Sequence, residues 1–145
     1  MTVKMTVVNK GEFERKNKLR DVNTRKNLIR AVRVAATETR NTAVKSILQN
    51  RRSGGETTRY NPTRTINISA AGDAPASDTG FLASNIYLII KGEGLTAEVE
   101  SNADYSAALE FGTRTMAARP FLQPALEQGR RKYERLFAKA VKDAI

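Results

Sequence analysis

Residues 85–91 (NIYLIIK) and 95–101 (LTAEVES) are separated only by Gly92-Glu93-Gly94. The first run is rich in β-branched and aromatic residues. The second alternates, with Leu95, Ala97 and Val99 on one side. Two such runs joined by a glycine-bounded turn predict an antiparallel hairpin. The paired glycines do not make a phosphate cradle, because a strand follows them and not a helix.

The chain places a helical pattern on each side of this hairpin. Leu28, Val32, Ala35, Ala36, Ala43, Val44 and Ile47 recur at steps of three and four. That spacing predicts a helix from about Asn23, with Asn23 or Thr24 as N-cap. It should end near residues 49–52, where Ser53-Gly54-Gly55 stops it and Arg51 and Arg52 face the negative end of its dipole. A second stripe runs from Leu122 through Leu126, Gly129, Tyr133, Leu136 and Ala140 to Ala144, widened by Phe137, Val141 and Ile145. Pro120 is expected at the first helical position and Pro124 one turn further in. Residues 1–8 alternate partly and suggest a strand. Residues 53–80 are dominated by Gly, Ser, Thr, Asn and Pro, and predict an extended flexible loop with one strand, at 63–69. Residues 102–113 allow one short helical turn. The expected class is α+β: one domain over 1–145, a small antiparallel sheet packed by a long N-terminal and a long C-terminal helix.

Composition narrows the chemistry. The chain has no His and no Cys. The commonest general base, the commonest transition-metal ligand and all thiol chemistry are therefore missing. Asp73 and Asp78 fall in the flexible segment, and no base motif surrounds Ser84. No catalytic residue, metal site or cofactor is expected. No apolar run approaches a membrane span, so a soluble chain made in the cytoplasm is expected. The net charge is +10, and it is unevenly spread. Residues 1–72 hold 16 basic and 5 acidic side chains, residues 73–112 hold 1 and 7, and residues 113–145 hold 8 and 3. Such blocks suit nucleic-acid contact or head-to-tail association of identical subunits. No zinc-finger, helix-turn-helix or RNA-recognition pattern accompanies them.

Residues 110–125, EFGTRTMAARPFLQPA, compress two prolines, one glycine and two phenylalanines between the hairpin and the last helix. Gly112 permits a turn that a side chain would block. Thr113 can bond that turn locally. Pro120 and Phe121 set the start of the helix. Tyr105, Phe111 and Phe121 are expected in the core. Glu110 either caps locally, or pairs with Arg114, Arg119 or a neighbouring subunit.

The run 105–126 resembles the signature of the tail-completion or tail-to-head joining proteins of tailed bacteriophages. The matching positions are Tyr105, Glu110, Phe111, Gly112, Thr113, Pro120, Phe121, Leu122, Pro124 and Ala125. Upstream, 78–86 (DTGFLASNI) is similar to a second family step through Thr79, Gly80, Leu82 and Ser84. Asn85 is one residue extra there, and Ser106 stands where the family has Ala. The resemblance covers the C-terminal half and leaves the basic segment 1–22 uncovered. It implies a structural virion protein of the phage neck: an oligomeric ring, of six subunits, between the head connector and the tail tube or its terminator. Transient contact with DNA in the lumen is possible for such a ring. The alternatives are a tail terminator, a minor tail or capsid protein, or a basic DNA-binding protein. Between ring subunits, Glu93, Glu98, Glu100 and Asp104 could meet Arg30, Arg33 and Arg40 of a neighbour's first helix.

Overall fold

A computed structural model describes residues 1–6, 21–50, 53–60 and 62–143. The element order is β1 (Thr2–Thr6), α1 (Asp21–Gln49), β2 (Glu56–Tyr60), β3 (Thr63–Asn67), α2 (Phe81–Ser84), β4 (Ile86–Lys91), β5 (Thr96–Ser101), α3 (Ser106–Phe111) and α4 (Leu122–Lys142). A 3-10 turn, Gly92–Gly94, joins β4 to β5. The α+β class stands, with two sheets. One is three-stranded in the order β1-β5-β4; the other is the two-stranded ribbon β2-β3. No helix among the described residues is long and apolar enough to cross a membrane.

The apolar stripe of α1 forms the centre of the molecule. Ala35, Ala36 and Ala43 are wholly buried, with Val32 and Ile47 beside them. These small residues let two layers approach α1 closely. Ile86, Ala97 and Val99 of the three-stranded sheet, with Phe121, Leu122 and Ala125 from the start of α4, complete the main cluster. A satellite of Leu28, Ala31 and Ala140 closes the other end of the helix pair. Asn23 and Thr24 lie inside α1, so neither is its cap. The dipole contact expected of Arg51 and Arg52, and most of the basic segment 1–22, lie outside the described residues.

α1 and α4 run antiparallel. The Asn27 amide donates to the Ala140 carbonyl at 3.4 Å, while Thr39 meets Tyr133. Within the buried contact, Thr39 Oγ1 donates to the Ala35 carbonyl at 2.9 Å and shares a 3.1 Å hydrogen bond with the Tyr133 hydroxyl. The Tyr133 ring lies over Gly129, where a Cβ would collide with it. Helical side chains lean toward the preceding turn, so a glycine four residues earlier makes room for the ring. This explains a glycine in the interior of an apolar stripe, where it otherwise costs about 1 kcal/mol.

β5 is the central strand. It pairs with β4 from Ile86↔Ser101 to Lys91↔Thr96 and with β1 from Thr2↔Glu100 to Thr6↔Thr96. The β4–β5 turn takes Glu93 into the left-handed region at φ 57°. At Gly94 a Cβ would stand 2.9 Å from Ile29 Cγ2, so its missing side chain lets the turn lie against α1.

The segment 53–80 carries two strands where the sequence suggests one. Thr57, Thr58, Arg59 and Tyr60 pair with 63–66, and every residue of β2 is exposed. Paired backbone bonds root the ribbon: Gly54 N–H to the Ile68 carbonyl at 2.8 Å, and Ile68 N–H to the Gly55 carbonyl at 3.0 Å. Pro120 is not the first residue of α4. It precedes Phe121, which occupies the N-cap, and Pro124 is the third helical residue. There its missing N–H still falls among the first-turn donors that have no partner within the helix.

Tyr133→Phe removes one buried hydrogen bond and leaves Thr39 satisfied by Ala35. It should lower stability by about 0.5–1.5 kcal/mol, measured as a shifted urea midpoint with an unchanged slope.

Candidate functional site

The two motif stretches, 79–84 and 105–125, come together in space. Gly80 enters α2 with φ 78°, a conformation that favours glycine. Thr79 Oγ1 accepts the Phe81 N–H at 3.3 Å, and Ser84 Oγ donates to the Phe81 carbonyl at 2.9 Å. This single turn drives Leu82 into the core and leaves Phe81 outside, 53% exposed. Ser84 therefore serves the turn geometry.

α3 buries Ser106 and Glu110. The Ser106 hydroxyl contacts Ser101 Oγ and donates to the Ala103 carbonyl, each at 2.5 Å. With positions 106 and 110 turned inward, Tyr105 and Phe111 face away from the body. They are 46% and 69% exposed. The expectation that both belong to the core is overturned; Phe121, at 1% exposure, does belong to it. The Phe81 and Tyr105 rings lie 6.4 Å apart and tilted by 36°. Burial pushes the Tyr105 phenol above its ordinary pKa, and the Arg59 cation opposes that shift.

Glu110 is a cap. Its Oε2 accepts the N–H groups of Phe121 at 2.8 Å and Leu122 at 3.1 Å, and its Oε1 accepts that of Gln123 at 2.7 Å. These donors are among those a helix start leaves unpaired, at the positive end of its dipole. Arg119 turns elsewhere: its Nε donates to the Ser69 carbonyl at 3.1 Å. Between them, Gly112 has φ 74°, and a Cβ there would stand 2.8 Å from the Met116 carbonyl oxygen. Thr113 Oγ1 accepts the N–H groups of Thr115 and Met116 at 3.3 and 3.1 Å, as its place in the turn suggests.

These pieces wall an open groove of about 650 Å³. Ile66 and Ile68 come from the ribbon side, Leu82 from α2, and Leu109 and Met116 from the signature. Arg59, Arg64 and Arg119 line it with Asp78, whose carboxylate lies 2.6 Å from the Arg64 guanidinium and 3.7 Å from that of Arg59. Ser69, almost fully buried at its floor, has a hydroxyl with no partner among the described residues. The ribbon continues past the groove to Tyr60, 82% exposed at its tip. The strand expected at 63–69 is β3, but the Thr and Arg of β2 carry no apolar period, so this partner strand goes unannounced in the sequence.

The charges expected to join subunits are partly spent inside the chain. Glu98 is buried and accepts the Lys91 ammonium at 2.6 Å, so it is not presented to a neighbour. Glu93 pairs with Arg25 of the same chain. Glu100 accepts the Thr2 hydroxyl at 3.1 Å. Arg40 Nε donates to the Ile86 carbonyl at 2.9 Å, tying α1 to β4. Arg30, Arg33 and Asp104 remain exposed.

Residues 14–112 match the HK97-gp10-like family, described as "Bacteriophage HK97-gp10, putative tail-component". The match spans well over half of the chain, and the chain belongs to that family: it is a bacteriophage tail component. The match reaches into the basic N-terminal segment, which the motif resemblance leaves out, and ends at Gly112, so Pro120–Ala125 lie beyond it. No curated protein and no solved structure matches the chain.

Glu110→Ala would strand three first-turn N–H groups, two of them buried, at about 1–3 kcal/mol for a buried unsatisfied group. A loss of roughly 3 kcal/mol is expected by chemical denaturation. Glu110→Gln, which keeps an oxygen for some of the donors, should lose about half as much.

Proposed function

We propose that this tail component is a structural part of the phage neck, joining tail tube to head connector as a ring of identical subunits. Its work is association and not catalysis. The observation that carries this proposal is the convergence of both signature stretches on one open groove, lined by exposed Phe81 and Tyr105, with Phe111 also exposed on α3, the short helix that follows Tyr105. Aromatic side chains of this kind dominate the energetics of protein interfaces. Gly80, Gly112, Thr113 and Glu110 hold the backbone that displays them, which accounts for their place in the signature without any reactive chemistry.

The ribbon β2-β3 supplies the other half of the contact. An isolated two-stranded hairpin is marginally stable in water, and this one is exposed along β2 and ends in Tyr60. In the proposed ring, the ribbon tip of one subunit seats against the groove of the next. Knob and groove are different surfaces of one chain, so the contact is head-to-tail and closes when the rotation fits. Arg30 and Arg33 facing Asp104 across the joint would steer the approach.

Light scattering after size exclusion, with and without connector-bearing heads, tests this. Tyr60→Ala disables the knob, and Tyr105→Ala with Phe81→Ala disables the groove. Each side chain is exposed, so stability should hold. An interface hot-spot aromatic contributes over 1 kcal/mol, so each variant alone should assemble at least about fivefold more weakly. Mixed together, they retain one intact knob and one intact groove, and should form heterodimers that do not grow. Rings that form unchanged from either variant would end the proposal.

A further inference from the structure

We propose that the outer face of α4 binds the phosphate backbone of duplex nucleic acid without reading its sequence. This site is separate from the groove and does not depend on ring formation.

Basic side chains of α4 gather in one stripe of its exposed surface. At 3.6 residues per turn, Arg131, Lys132, Arg135, Lys139 and Lys142 share just over a quarter of the helix circumference, along about 16 Å of its axis. All five are exposed. The acids Glu127 and Glu134 border one edge of this stripe, roughly 40–60° beyond Arg131, and are engaged by Arg130, which reaches them at 3.1 and 3.9 Å. Of the five, Lys132 is paired, with Glu38 of α1 at 2.7 Å. That contact raises the Lys132 pKa and keeps the ammonium charged. Arg131, Arg135, Lys139 and Lys142 make no ion pair among the described residues. Asp143 follows at the helix end.

Three partners could answer such a stripe, and the surface discriminates among them. A protein interface needs an apolar, aromatic-rich centre with few charges; this face is cationic along its length, with Ala138 between the charges. A membrane surface needs an apolar face beside the cations; the apolar face of α4 is buried against α1. A linear polyanion needs only a row of flexible cations at regular rise, and duplex nucleic acid carries its charge in that form. No side chain of the stripe is an Asn, Gln or aromatic suited to base edges or stacking, so contact is confined to phosphates.

The test uses the full chain, a short fluorescent duplex of mixed sequence, and anisotropy across a salt series. Four free cations predict a slope of log K against log salt near −3.6, an affinity loss of about 150-fold between 50 and 200 mM. Arg131→Gln, Arg135→Gln, Lys139→Gln and Lys142→Gln together should bring the slope close to zero, with the thermal melt unchanged. A control lacking the same number of charges elsewhere (Lys26→Gln, Arg33→Gln, Arg59→Gln and Arg114→Gln) should keep the full slope. A stripe variant that binds like the control overturns the proposal. So does a wild-type chain that binds polyglutamate as tightly as the duplex, which would make the stripe a site for acidic protein surfaces.

Discussion

The Glu110 carboxylate on the first turn of α4 is the contact on which the arrangement of the rest depends. A carboxylate taken out of water is costly unless its charge is answered. Here three backbone N–H groups answer it, at 2.7–3.1 Å, with the positive end of the helix dipole behind them. The cost of burial thus becomes a geometric rule: α4 can start only where α3 ends. Phe121, at its N-cap, offers no side-chain cap of its own. The loop between the two helices must therefore return on itself within a few residues. Gly112 and the Thr113–Met116 turn make that return, and the Arg119 N–H fastens it to the Leu109 carbonyl at 2.6 Å.

The same rule sets what is shown to solvent. With Ser106 and Glu110 committed inward, a helix as short as α3 has no second buried face. Tyr105 and Phe111 are left outside by the side-chain period and not by any lack of apolar character. The tyrosine then meets Phe81 from α2 across the groove. A structural requirement at one residue thus produces an apolar surface at its neighbours, and one signature encodes both.

Much of this was legible in the sequence, and the exceptions share a cause. The stripes of α1 and α4 and the β4–β5 hairpin declare themselves because each buries one face against the core, so period and burial coincide. β2 is exposed along its whole length, and its Thr and Arg residues leave no alternation to find, whereas β3 is announced by Ile66 and Ile68. Glu98 falls on the polar side of the LTAEVES alternation, yet it is buried. β5 is the central strand of its sheet, a place that depends on pairing with β1 from the far end of the chain. Local pattern carries no trace of so distant a neighbour. Glu110 was legible as an acid among apolar residues, with a cap as one of two readings. Choosing between them required knowing that Arg119 bonds Ser69, fifty positions away.

α4 joins the two surfaces mechanically. At 1.5 Å per residue its 21 residues span about 30 Å. Its first turn forms part of the corner that rims the groove, and its cationic stripe occupies the distal half. The helix is held along that length by Leu122 and Ala125 at one end, by Tyr133 against Thr39 in the middle, and by Ala140 against Leu28 at the other. A body packed in this way moves as a unit. The direction fixed at Glu110 therefore also fixes where the stripe points, relative to the groove rim, in every copy. In a closed ring built through the groove, the stripe would recur once per subunit at the same radius and tilt. A row of phosphates could then meet equivalent cations from each subunit without any base being read.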